Sequence, residues 1–523
     1  MSDLAALENE NETLRRQNIL LEKRNSELEK QVSQIPALNA RIERLIEELK
    51  LALYRQYART SEKFVGQDDL PFEDLKVEET PESVTDDSEK AETHRKKAGR
   101  KRLSDSIPRD DKTIDLKDHE KICACGHELK VIGEDVYEKL MIVPRKVWVQ
   151  RNRFLKYACP HCQGLSDETK PAVRTAPHGP ELFPRSIVSE ELLAQIWTAK
   201  FCDHLPFYRQ EVGFARIGAQ ISRQDMVNWT LKVTVRFKPL ILLIIKNILS
   251  GSLIQMDETP VKVLKLDKTG ETGRGYMWLA RGGPPEQKAV NYRFDPSRGS
   301  ESAIKFLEGF TQFLQADGYS AYKTVTEGTA IRLVGCWAHA RRKFVDADKA
   351  APSEICKDAL GRIQKLYKLE KQARSDAEKQ SLTPTEFVAH RKNLLEGHLA
   401  SLKEWLGTMS NKILPSSKTA EAIQYCLNQW DTLVRFLEHD EITPDNNAAE
   451  NAIRPFVVGR KNWLFHGNEK AAESSCMIYS LIETAKLNGK EPYAYLQYIL
   501  HQLPLVEESG DWESLLPWNV TLV

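Results

Sequence analysis

Leu7, Leu14, Leu21, Leu28 and Ile35 recur at every seventh position, and Leu4, Asn11, Asn18, Asn25 and Val32 fill the companion positions of the same seam. A helix whose apolar residues repeat on this period buries its stripe best against another helix, so residues 1–57 are predicted to form a leucine-zipper-like coiled coil. Asn at three seam positions gives up stability for pairing register. That trade favours two parallel copies of the chain over a stripe packed against its own protein. After Pro36 the pattern resumes with a shifted phase through Leu38, Ile42, Leu45 and Leu49. The following segment, 58–93, is acidic, rich in Ser, Thr and Pro and poor in large aliphatics, and is predicted to be a disordered linker.

Alternation of period two then takes over. The run from Lys146 through Trp148 to Phe154 reads as a strand between two cysteine pairs, Cys123 with Cys125 and Cys159 with Cys162. Two knuckles joined by a hairpin bring four thiolates around a tetrahedral Zn2+, and a site closed by protein ligands is structural. The first pair is one residue shorter than the usual knuckle, which leaves His119, His127 and His161 as alternative ligands. Residues 119–170 are therefore predicted to be a small zinc-binding β domain. Arg145, Lys146, Arg151, Arg153 and Lys156, interleaved with Trp148 and Tyr157, suit a DNA-contacting ribbon or a strand's solvent face.

From 189 to 237 the period is helical. A turn is predicted at Gly218, and the next helix opens with Ser222 as its cap and Asp225 returning the bond. Within the region 171–249 this is the outline of a helix-turn-helix unit, with Arg223, Gln224 and Asn228 able to reach base edges. A helical hairpin that never touches DNA has the same outline.

Strand-like runs follow at 253–256, 275–281 and 289–294, then an amphipathic helix at 300–310, then strands at 313–316 and 331–334. Three strands, a helix and a strand is the order of a ribonuclease-H-like fold, a mixed sheet flanked by helices. The charged helical stretch after residue 350 is too long for a loop. It reads as a helical insertion domain, 351–440, dividing an α/β catalytic domain into 250–350 and 441–490. A C-terminal helix and tail, 491–523, complete a multidomain α+β chain.

Three carboxylates stand in this frame where a folded domain gains little from charge. Asp257 and Asp317 end the first and fourth of these strands, and Glu450 lies in an Asn-rich stretch that opens a helix. In the ribonuclease-H-like order those two strands are neighbours, so the three acids would converge on hard divalent cations, which take carboxylate oxygen in preference to thiolate. Two Mg2+ (or Mn2+) ions roughly 4 Å apart activate water and neutralise the entering and leaving oxygens of a phosphodiester. Glu258 and Asp445 are neighbouring acids that compete for these roles. Asn446, Glu450 and Arg454 recur every four residues, so one helical face presents a metal ligand beside groups that hold phosphate. His339, Arg341 and Arg342 after the last strand, with Arg454, Arg460 and Lys461, add DNA-binding groups, and Trp337 and Trp463 offer stacking surfaces. A structural His339 and core tryptophans are the competing readings.

The 75 basic and 75 acidic side chains cancel, so any attraction for nucleic acid has to be local. It concentrates in the basic strip, 94–118, where Arg95, Lys96, Lys97, Arg100, Lys101 and Arg102 surround Gly99, a flat run suited to phosphate and the minor groove. A solvated tail balancing the acidic linker would look alike. Nine cysteines, an odd number with four in close pairs, suit a reducing compartment and one metal site. The most lipid-like run, 240–249, is too short to span a bilayer and contains Lys246, so a cytoplasmic protein without a membrane partner is expected.

Longer motifs extend over nearly the whole chain: KKAGRKRLS, AKFCDHLPFYRQE, QMDETPVKV, ADGYSAY, GCWAHARRKF, DNNAAENAIRPFVVGRKNWLF and LIETAKLNGKEPYAYL. With the zipper-like start and the paired cysteines, this sequence resembles the bacterial transposases of the insertion sequence 66 family. The resemblance implies a DDE transposase whose acidic triad, Asp257, Asp317 and Glu450, binds two divalent ions. It implies double-stranded DNA, both element ends and target, as substrate. It also implies small accessory proteins of the same element, and a cytoplasmic protein that joins the nucleoid on DNA. The shortened first knuckle departs from the commoner spacing and bears only on the zinc ligands. Two alternatives remain, a non-catalytic coiled-coil zinc regulator, which has no need of the three acids, and a ribonuclease-H-like nuclease or resolvase, which has no evident need of the zipper.

Overall fold

The computed structural model describes residues 2–57, 146–158, 173–176, 179–184 and 186–522. The acidic linker, the basic strip, Arg145, the four paired cysteines and His119, His127 and His161 lie outside the described residues. Met1–Pro71 with Val149–Val523 form one compact unit and Phe72–Trp148 a second; of the second, only residues 146–148 are described.

One uninterrupted helix, α1 (Ser2–Tyr57), covers the zipper region. Leu21, Leu28, Val32 and Ile35 are at least half exposed or nearly so, whereas Leu51 is buried. Only the last turns dock on the rest of the chain, where Glu47 accepts from the Lys418 amide at 3.0 Å and Arg44 pairs with Glu421 at 3.5 Å. Of the strand predicted around 146–154, none forms; the ladder is confined to Lys156–Ala158 against Val173–Thr175. Val147 and Val149 stay exposed, so the alternating pattern there buries nothing that would favour a strand.

Four helices follow: α2 (Glu190–Phe201), α3 (Phe207–Arg216), α4 (Arg223–Thr234) and α5 (Lys238–Leu249). The predicted capping box is present, with Ser222 Oγ accepting from the Asp225 amide and Asp225 from the Ser222 amide. Gly218, at φ +83°, makes the turn between α3 and α4, a conformation that a Cβ would strain.

Strands β1 (Leu253–Val263), β2 (Gly273–Gly282), β3 (Ala289–Asp295), β4 (Phe313–Gln315) and β5 (Arg332–Val334) form a mixed sheet in the order β3-β2-β1-β4-β5. The first three are antiparallel neighbours; β4 runs parallel to β1, and β5 parallel to β4. Helix α6 (Ser300–Phe306) stops short of its predicted end, because the chain turns through Gly309 at φ +81°. Helix α7 (Ser320–Thr326) links β4 to β5.

Beyond β5 come α8 (Trp337–Ala350), the long insertion helices α9 (Glu354–Gln380), α10 (Pro384–Ser410) and α11 (Lys418–Asn428), the short α12 (Trp430–Leu433), and then α13 (Asn447–Trp463), α14 (Glu469–Leu487) and α15 (Pro492–Ser509). Two apolar cores result. Ile254, Met256 and Leu314 join α2, α4, α5 and α13–α15, while Leu253, Phe313 and Val334 join α8 and the insertion helices. Residues alternate between the cores because successive strand side chains point to opposite faces.

The outer edge of β3 is closed by hydroxyls on α14. The Val290 and Tyr292 amides donate to Thr484 Oγ1 at 3.1 Å and Ser480 Oγ at 2.8 Å, and Thr484 donates back to the Val290 carbonyl. A helix laid along an edge strand removes its unpaired groups from aggregation. Thr484→Val keeps the shape but strands a buried amide, which costs about 1–3 kcal/mol. The expected outcome is a lower thermal unfolding midpoint for Thr484→Val and little change for Thr484→Ser, read by circular dichroism.

Candidate active site

Strand β1 does not end at Asp257 as its sequence suggests; it continues to Val263, paired with β2 throughout. What ends there is its other neighbour. β4 pairs with β1 only as Leu253↔Phe313, Ile254↔Leu314 and Gln255↔Gln315. Asp257 and Asp317 each follow two residues after the last pair, the charge of Asp317 reaches Asp257, and the two-residue period puts Asp257 on the face of β1 that carries Leu253. At that last pair, Gln255 Nε2 donates to Gln315 Oε1 at 2.8 Å. Arg281 donates to Gln255 Oε1 at 2.8 Å, and Gln315 donates to the Thr443 carbonyl at 2.8 Å. This buried amide ladder was legible as a repeated Gln-x-Asp in LIQMD and FLQAD, a signal that a search for acids alone passes over.

Past the end of β4 the free edge of β1 is covered by the chain around α13. Asn446, the helix cap, is 1% exposed and donates from Nδ2 to the Met256 carbonyl at 2.8 Å. Arg460 Nη1 donates to Thr259 Oγ1 at 2.7 Å and to the Pro260 carbonyl. The His466 amide donates to the Lys262 carbonyl at 2.9 Å. Pro260 is tolerated in mid-strand because the edge its nitrogen faces has no strand to receive an N–H. Two expectations change accordingly. Asn446 holds the helix to the strand and is not presented to phosphate, and the Arg460 guanidinium is engaged with the β1 edge.

Glu450, in the first turn of α13, completes the convergence. Burial, reinforced by the charges of Glu258, Glu450 and Asp317, pushes the Asp257 carboxyl up to about 8. Glu450 Oε2 accepts from Arg342 at 3.2 Å, whereas Glu450 Oε1 is buried with no hydrogen-bond partner. His339 Nδ1 lies 3.5 Å from that oxygen and is likewise without a partner; burial lowers the pKa of its ring. Cys336 Sγ accepts from the Asn446 amide at 3.2 Å, and burial pushes its thiol up to about 12.

The competing acids are satisfied by the scaffold. Glu258 accepts from Arg298 at 2.6 Å and from the Tyr322 hydroxyl at 2.5 Å, and its side chain is 3% exposed. Asp445 accepts from the Asn447 amide at 3.1 Å and is hydrogen-bonded by Tyr367. Among the described residues, Asp257 accepts only from the Glu258 amide at 2.8 Å and Asp317 from the Tyr319 amide at 2.9 Å, and Glu450 keeps one oxygen unpartnered beside its pair with Arg342, so the donor set suits hard cations.

Arg342 and His339 thus join the three acids, while Arg223, Gln224 and Asn228 sit on the exposed face of α4, with Gln224 donating to Asn228 at 3.0 Å. Arg454 and Lys461 are exposed on α13, and Arg341 is half-buried on α8. Trp337 offers no stacking face, and Trp463 is half-buried. Trp337 is fully buried and donates to the Leu433 carbonyl at 2.8 Å, and Trp463 packs on Phe456 and His466.

The raised Asp257 value fixes the sign of a pH effect. Between its ordinary 3.8 and about 8, the folded chain holds a proton that the unfolded chain has released. Stability from this position is therefore present at low pH and lost as pH rises toward 8. Without added divalent ions, Asp257→Asn should raise the unfolding midpoint by several degrees at pH 8 and hardly at all at pH 4, as read by differential scanning fluorimetry.

Comparison with known proteins gives the family of the chain. Residues 185–474 match the family model described as Transposase IS66 family, and 480–518 the IS66 C-terminal element. Residues 120–163 match the zinc-finger binding domain of transposase IS66, and 44–111 the model described as Transposase C of IS166 homeodomain. Among relatives from Sinorhizobium fredii (strain NBRC 101917 / NGR234), each carrying the description uncharacterized protein, y4qI is 32% identical over 92% of this chain and 89% of its own. The protein y4jD is 31% identical over 80% and 81%, and y4hP 29% over 93% and 89%.

Proposed function

From the premise that the chain belongs to the IS66 transposase family, we propose that it is a DDE transposase whose catalytic carboxylates are Asp257, Asp317 and Glu450. The observation that carries the reading is the approach of Glu450 and Asp317 to the buried Asp257, whose carboxyl is raised by burial and by neighbouring like charge until a cation relieves it. The sheet order β3-β2-β1-β4-β5, with β1–β3 antiparallel and β4 and β5 parallel to β1, supports a ribonuclease-H-like catalytic domain. No helix among the described residues is long and apolar enough to cross a membrane.

The three carboxylates would hold two Mg2+ or Mn2+ ions, which supply activation of water and neutralisation of the entering and leaving oxygens. The chain's own groups do the rest. Gln255, Gln315 and Asn446 tie together the segments that carry the acids. Arg454, Lys461 and Arg341 hold backbone phosphate, as does Arg342 once released from Glu450. The basic strip and α4, with Arg223, Gln224 and Asn228, bind the terminal repeats. Cys123, Cys125, Cys159 and Cys162 hold a structural Zn2+ in the zinc-finger domain. The bare seam of α1 pairs two chains as a coiled coil, small accessory proteins of the element assist, and the protein works in the bacterial cytoplasm on nucleoid DNA.

Incubated with element-end DNA and Mg2+, the wild-type chain should cut and join strands. Asp257→Asn and Glu450→Gln should lower both by about a thousandfold or more; unchanged joining in either would remove the assigned roles, and cutting without joining would indicate a nuclease. In analytical ultracentrifugation the wild type should sediment as a dimer, and Leu21→Glu with Leu28→Glu as a monomer.

A further inference from the structure

The turn that starts α8 brings a group to Glu450 that a set of acids does not require. Cys336 caps the helix and His339 lies in its first turn, facing the first turn of α13. His339 Nδ1 and Glu450 Oε1 are both buried and both without a hydrogen-bond partner, 3.5 Å apart. That separation is too long for a good N–H···O bond. It approaches the spacing of two adjacent ligands of one ion, roughly 3 Å when each donor is about 2.1 Å away. Cys336 Sγ lies within 4.8 Å of a ring nitrogen of His339 and a carboxylate oxygen of Glu450, but a buried thiol already accepting the Asn446 amide is a poor ligand for a hard cation.

We propose that His339, through Nδ1, is a fourth protein ligand of the acidic metal site and binds the same ion as Glu450, with Arg342 as the cation that this ion displaces. The assignment rests on the acidic-site reading above. Coordination through Nδ1 puts the ring proton on Nε2, which faces Arg342 Nη1 at 3.3 Å. Two donors cannot share that contact, so the guanidinium has to turn away, and in doing so it leaves Glu450 Oε2. Its side chain is 56% exposed and has room to move. In the metal-free chain, then, Arg342 neutralises Glu450; in the loaded chain the ion does, and the guanidinium is released toward the phosphate backbone. An imidazole nitrogen in the shell also favours Mn2+ over Mg2+.

The test uses the zinc-replete full chain and Mn2+ alone as the probe. Electron paramagnetic resonance titration gives affinity, and electron spin echo modulation reports nitrogen coupled to the bound Mn2+. The expected result is 14N modulation in the wild type that disappears in His339→Ala and His339→Gln, with Mn2+ affinity falling about tenfold. Arg342→Gln should tighten Mn2+ binding, opposite in sign. Glu190, Glu191 and His501 form the other His-containing acidic group among the described residues, so the modulation must survive His501→Ala. Wild-type binding that depends on Glu450 but shows no nitrogen coupling, or coupling that persists without His339, overturns the assignment while leaving the acidic site intact. Mn2+ affinity unchanged in Glu450→Gln would instead remove the acidic-site reading, and the His339 assignment with it.

Discussion

Strand β4 is three residues long, and the arrangement of the site follows from that brevity. Beyond Gln315 the edge of β1 has no strand beside it, yet its carbonyls lie inside the fold and must be paired. Asn446, Arg460 and the His466 amide supply the donors, 190 to 204 residues further along the chain. Satisfying that edge draws α13 alongside β1 and sets Glu450 near Asp257, which it could not otherwise meet. A longer β4 would have paired the same carbonyls and left no room for the helix.

The cost of this arrangement is electrostatic. Burial, with like charges around it, raises Asp257 to about 8; burial raises Glu258, one residue on, as well, but its oxygens are held by an arginine and a tyrosine. The contrast separates acids that the scaffold completes from acids that it leaves for something else to complete. Arg342 reaches Glu450 from a mostly exposed side chain. Such a group can leave without disturbing the core, unlike the fully buried Arg391, whose guanidinium donates to the His439 and Ile442 carbonyls.

Arg391 also links the helices of residues 351–440 to the candidate site. It ties α10 to the turn that feeds Thr443 and Asn446, the same segment that Gln315 grips from the sheet. On the other side, Tyr425 of α11 lies against Gly318, where a Cβ would come within 2.6 Å of the ring. Only glycine allows that approach beside Asp317. The insertion helices therefore brace both the loop after β4 and the lead-in to α13, and α1 docks its last turns on α11.

Periodicity and capping chemistry are local, and what they govern could be read from the order of residues. The capping box at Ser222 and Asp225, the turn at Gly218, the sheet strands and the three acids all follow from neighbours within a few positions. Where local pattern misled, a distant partner had intervened. Trp337 carries the look of a stacking surface but is buried against Leu433 and Trp430, Asn446 is committed to Met256, and β1 runs on past Asp257 because β2 pairs it there. The alternating run at 146–154 forms no strand among the described residues, and Val147 and Val149 stay exposed there. Residue order thus pointed to the groups that are candidates for chemistry. Long-range pairing of buried backbone decided which of them are free to do it, because an unsatisfied carbonyl inside a fold claims whatever donor the chain can bring to it.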